Sequence, residues 1–244
     1  MSLKRDTNYD IDTIRPSRYN TPIATHRCNH TTQHKTGVAT QINEAIPMNE
    51  QTIRNILTVL NKHGVQTAIK QMDCIGKRNV GSDCRYGSLL RMFAAVCVEQ
   101  CKHLVNHRDL LNAISIANEF ASNRVKLTVV EKIRGRVVNA ARNVDEADEA
   151  SEMSDAADAC VNLLLDDAYE SALKVQQDVV FALAREKAKN AIADRLAKLG
   201  KMTNLSSETI EAMQRVESDA AFDSVRLMIK GLLQKILESE LKQG

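Results

Sequence analysis

Four side chains near the N-terminus are of the types that bind metal: His26, Cys28, His30 and His34. Zinc takes four nitrogen or sulfur ligands at tetrahedral angles. The H-x-C-x-H-x3-H spacing crowds neighbouring ligands and matches no zinc-site pattern, so these residues read as part of a polar tail. Two further pairs, Cys97/Cys101 and His103/His107, each stand one helical turn apart. Such a pair can share a metal on one helix face. Cys97 and Cys101, however, share their face with Met92 and Phe93, where cysteine serves as a small apolar side chain. His103 and His107 read as a helix C-terminus, whose dipole favours imidazolium.

The run Gly76-Lys77-Arg78-Asn79-Val80-Gly81-Ser82 has half the spacing of a phosphate loop. Its second glycine is followed by Ser-Asp rather than Lys-Ser/Thr, and no strand precedes it. The carboxylates Asp145, Glu146, Asp148, Glu149, Glu152, Asp155 and Asp158 lack the alternation and the turn glycine of a calcium loop. They read as a solvated acidic face. No GxSxG, HExxH or paired CxxC motif occurs. The chain therefore reads as non-catalytic, with no cofactor and no metal.

What remains is charge. Arg124, Lys126, Lys132, Arg134, Arg136 and Arg142 are opposed only by Glu131. With Lys77, Arg78, Arg85 and Arg91 they can line a phosphate-binding surface, although few aromatic residues interleave for base stacking. Residues 49–142 hold fifteen Lys/Arg against seven Asp/Glu, whereas residues 143–170 hold ten acidic residues and no basic one. Two readings follow. The blocks face each other or solvent within one fold, or one of them recognises an oppositely charged partner. The six residues from Arg124 to Arg142 are the candidate partner-binding surface. The expected partner is a protein or a second copy of this chain, as in a homo-oligomer; nucleic acid is the alternative.

These side chains must be positioned by helices. With 43% hydrophobic but only 3% aromatic residues and no Trp, the core is built from Ala, Leu, Val and Ile, whose small size lets helices approach closely. From Ser154 to Leu199, apolar residues recur at Ala157, Val161, Leu164, Ala168, Ala172, Val175, Val179 and Ala182, alternating gaps of three and four. No Gly or Pro interrupts this stretch, and Gly200 follows it as a stop. The spacing predicts one long helix there, capped by Ser151 or Ser154. It predicts others from Asn49 to Gly64, Thr67 to Ile75, Ser88 to Val105 and Asp109 to Ala121, one from Thr128 to about residue 150, and a last one from Ser206. That last helix carries Met213, Val216, Phe222, Val225, Met228, Leu232, Leu233, Ile236 and Leu237, with Leu205 and Ile210 placed as a hydrophobic staple. Gly76 to Gly87 reads as a loop. Gly135, inside a helix at a cost of about 1 kcal/mol relative to Ala, predicts close approach of another backbone.

Residues 1–47 hold all three prolines and no hydrophobic period, which predicts a polar N-terminal arm before a helical domain at 48–244. The predicted class is all-α, a mainly antiparallel multi-helix array. No apolar run nears the roughly 18 residues that cross a membrane, and no signal-peptide pattern is present. The six cysteines then read as free thiols in a reducing, cytoplasmic setting, unless an export route without a readable signal pairs them into disulfides.

The segment Leu89–Val105 (LLRMFAAVCVEQCKHLV), then Leu110–Ser122 (LLNAISIANEFAS), Val137–Arg142 (VVNAAR) and the Ala-rich helical pair after it resembles the helical immunity-protein domains of bacterial toxin systems over residues 88–199. The Trp and His frequent in that family's later helices are missing here. The resemblance implies a helical protein that sequesters a partner rather than an enzyme, and it assigns no functional residue.

Overall fold

The structure, a computed structural model, describes residues 49–78, 83–147, 151–199 and 206–242. All belong to the second of the chain's two units, Glu44–Gly244. The predicted arm with His26, Cys28, His30 and His34, the glycine-loop residues 79–82, Gly200 and Leu205 lie outside the described residues, as do the side chains of Lys77 and Arg78.

The described chain is a series of α-helices: α1 Glu50–His63, α2 Val65–Arg78, α3 Asp83–Cys101, α4 Arg108–Ala121, α5 Leu127–Ala147, α6 Glu152–Asn162, α7 Ala168–Leu199 and α8 Ser207–Leu241, with a 3-10 turn at Lys102–Leu104. No strand occurs among the described residues. The fold is an all-α array in which every chain-neighbouring pair of helices packs side by side.

Local chemistry sets the helix ends. The Asn49 side chain accepts from the Gln51 amide at 2.9 Å and starts α1, which buries Ile53, Ile56 and Leu60. Gly64 ends it at φ +82°, returning its N–H to Leu60 O at 3.1 Å. Only glycine adopts that left-handed conformation at no cost, and here it lets α2 begin one residue later. Ser206 caps α8 by accepting from the Thr209 amide at 3.3 Å.

Two helices form the hub. α3 packs on α2, α4, α6, α7 and α8, and α7 packs on α2, α3, α6 and α8. Helices enclosed on several sides bury residues around most of their circumference. Leu89, Leu90, Phe93, Ala94, Cys97, Val98 and Cys101 of α3 are all buried, as are Ala172, Val175, Val179 and Ala182 of α7. The outer helices are tied in at their ends. Lys230 of α8 donates to Asn61 O at the end of α1, at 3.2 Å. Arg85, in the first turn of α3, pairs with Glu240, in the last turn of α8, at 2.6 Å.

Several sequence expectations are corrected. The helix predicted over Ser154–Leu199 is broken at 163–167 into α6 and α7. The Asp167 side chain accepts from the Glu170 amide at 2.7 Å, so an Asp-x-x-Glu cap starts a new helix there. The apolar period survives because both helices bury their stripes in the same core, against α3 and each other. α3 begins at Asp83, inside the predicted loop, and Gly87 lies within it, with ordinary van der Waals space before Ala168 Cβ at 3.9 Å. Val216 is exposed rather than part of the α8 stripe.

Gly135 is exposed on α5, and a Cβ placed there meets nothing within 4 Å. No backbone approaches it. Gly135→Ala is therefore expected to raise stability by about 0.5–1 kcal/mol through reduced unfolded-state entropy. The check is a rightward shift of the urea midpoint at unchanged m-value.

Candidate functional site

The six predicted basic residues separate into two groups. Arg134, half-buried on α5, is spent inside the fold. Its Nε donates to Leu164 O at 3.1 Å, and its guanidinium also pairs with the Asp166 carboxylate. Arg91 of α3 approaches the same turn, donating from Nη1 to Leu165 O at 3.0 Å and from Nη2 to Asp166 O, with its guanidinium 4.6 Å above the Phe120 ring. Together they satisfy carbonyls left open where α6 stops. Arg142 also has a partner within the fold.

Arg124, Lys126, Lys132 and Arg136 remain exposed, on the α4–α5 turn and the outer face of α5. Arg134→Glu is thus expected to cost about 2–3 kcal/mol, since it removes the donors and sets a carboxylate beside Asp166. Arg136→Glu should stay within about 0.5 kcal/mol of the parent. Denaturant midpoints of the two variants separate the cases.

The acidic run is likewise engaged. Glu152 pairs with Lys189 at 2.7 Å and Asp155 with Arg185 at 3.2 Å, both partners on α7. The Lys189 hydrogen bond holds the Glu152 carboxyl below the usual carboxylate range. Asp145 accepts from the Ser154 hydroxyl. Glu152 and Asp155 thus face α7 rather than the predicted block at 124–142, whereas Asp166 faces Arg134 of that block.

Cys97 and Cys101 of α3 and Cys160 of α6 are buried. Burial pushes all three thiols up, Cys101 to about 12. A protonated, enclosed thiol is a poor nucleophile. Cys74 is exposed. In native buffer iodoacetamide should modify Cys74 and spare Cys97, Cys101 and Cys160, and all four should react in guanidinium, as read by peptide mass spectrometry. His107 is not at a helix C-terminus: it caps the start of α4, its Nδ1 accepting from the Asp109 amide at 3.2 Å. His103 Nε2 sits 2.9 Å from Glu186 of α7. No group of three or more His, Cys, Asp or Glu side chains is placed to hold a metal among the described residues, and none of the described helices is long and apolar enough to cross a membrane.

A different place gathers apolar and polar groups. Where the α1–α2 turn meets α7 and α8, a groove of about 740 Å³ opens. Its apolar wall is Val180 and Phe181 of α7 with Phe222 and Leu227 of α8. The Phe181 and Phe222 rings meet edge to face at 5.5 Å, and the Arg226 guanidinium lies 5.6 Å over Phe222. Phe181 is 41% and Leu227 69% exposed, unusual for large apolar side chains beside a concavity. Polar groups share the lining: Gln66 and Thr67 of α2, Gln176 of α7, and Arg226 and Lys230 of α8.

Sequence reasoning missed this groove because its residues come from three separated stretches. The one available signal was phase: Phe181 sits beside the α7 stripe rather than on it, and Leu227 beside the α8 stripe. Comparison with protein-family models, curated proteins and solved structures found no match to this chain.

Proposed function

We propose that this chain is a non-catalytic helical interaction protein that binds a protein partner or a second copy of itself through exposed helix faces, with the α1–α2/α7/α8 groove as the main contact. The observation that carries this reading is the presence of exposed Phe181 and Leu227 together with polar groups in one groove. Apolar side chains in a concave site, rimmed by polar groups that fix orientation, are the anatomy of a binding pocket. The resemblance of residues 88–199 to immunity-protein domains supports the same class, a protein that sequesters a partner. A cytoplasmic location belongs to this proposal.

The test combines sizing by light scattering with affinity capture from the native source. Phe181→Ser/Leu227→Glu should lose the partner or the dimer mass, and Lys132→Glu/Arg136→Glu should keep it. Equal behaviour of the two variants would defeat the groove as the contact.

A second reading rests on Lys126, Lys132, Arg136 and Arg124, whose exposure leaves cations available for phosphates. Nucleic-acid retention that falls steeply with salt, and falls further in Lys132→Glu/Arg136→Glu, would favour it.

A further inference from the structure

Resting on the partner-binding reading and deepening it, we propose that the groove takes an acidic–apolar segment of a protein partner. A carboxylate sits at the N-terminus of α2, and a neighbouring apolar side chain lies against Phe181, Phe222 and Leu227. The first observation is the helix end. Val65, Gln66 and Thr67 open α2, and Ala68 is the first whose N–H meets a backbone carbonyl of the turn, Gly64 O at 3.2 Å. The earlier N–H groups have no intrahelical acceptor, and the first turn of α2 holds no acidic residue. Such an end carries partial positive charge and donors suited to a carboxylate.

The second observation is independent. Gln176, on α7, lines the same groove and is only 7% exposed, yet its side-chain amide makes no hydrogen bond among the described residues. A peptide group bound in the groove supplies both a donor and an acceptor for that amide. Charge agrees. Arg226 and Lys230 stand on the rim, and Asp223, the single carboxylate of the lining, is 3.6 Å from Arg226. The rim therefore keeps a positive excess beside the helix end. Two cations next to an aromatic wall suit one carboxylate flanked by an aliphatic or aromatic side chain, rather than the evenly charged backbone of a nucleic acid.

The experiment selects a displayed library of random peptides of about twelve residues on the immobilised full chain. Peptides enriched on the wild type should carry Asp or Glu within a few positions of Leu, Ile or Phe. Their affinity should fall about tenfold in Arg226→Glu/Lys230→Glu and by a similar factor in Gln176→Leu, and stay unchanged in Lys132→Glu/Arg136→Glu. Circular dichroism melts confirm that each variant folds. Should Gln176→Leu not fold, the rim residues Arg226 and Lys230 carry the decision. Enrichment of basic peptides, or acidic peptides indifferent to the groove variants, overturns the proposal while leaving partner binding elsewhere on the surface intact. No enrichment over an empty-support control overturns it as well. The broader reading falls only if affinity capture and sizing are also blank.

Discussion

Arg185→Leu is expected to cost about 3–5 kcal/mol of folding stability, because it removes the cation paired with a buried carboxylate. Asp155 is 1% exposed in the first turn of α6, and the Arg185 Nε lies 3.2 Å from its Oδ2. Buried charge survives only when paired, and without Arg185 the carboxylate keeps its desolvation penalty but loses that cation's attraction. Removing both charges should cost much less. The double variant Arg185→Leu/Asp155→Asn is expected to recover at least half of the loss. A double-mutant cycle on urea midpoints measures this directly. If Arg185→Leu shifts stability by less than about 1 kcal/mol, the pair does not hold α6 to α7 as described.

Phe93→Ala is expected to cost about 3–5 kcal/mol. Phe93 is fully buried on α3, and it is the largest of the fully buried side chains among the described residues. The cost depends on how far the surroundings collapse into the space left behind. Collapse is restricted here because Ala94, Ala95, Ala172 and Ala182, all fully buried, already bring the hub helices close. Phe93→Leu, which keeps most of the volume, should cost less than about 1.5 kcal/mol. Equal losses for the two substitutions would mean that ring shape rather than volume governs the site.

The architecture was legible because aliphatic periodicity is a local signal. Asn49, Gly64 and Ser206 act as the caps that their types announce, and the stripe from Ala157 to Ala182 is buried or half-buried throughout. What was misread involves choices between local options. The break at 163–167 lay in the Asp167-x-x-Glu170 signature, which competes with an unbroken apolar period and wins because Arg91 and Arg134 satisfy the freed carbonyls. Those arginines are distant in sequence, so their structural use could not be told from surface charge. His107 was assigned to the wrong end of a helix because the chain runs from one helix through a 3-10 turn into another within a few residues. The groove was illegible for a related reason: Val65, Gln176 and Leu227 are adjacent only once three helices have packed.

The clasp between Arg85 and Glu240 bears on biosynthesis. A chain emerging from the ribosome presents the start of α3 long before residue 240 exists. α8, which covers α1 and part of α3, is translated after both of them. Buried positions on those two helices, Ile53, Ile56 and Leu60 among them, therefore lack one wall until α8 has emerged. Nascent hydrophobic surface of that kind is what co-translational chaperones recognise.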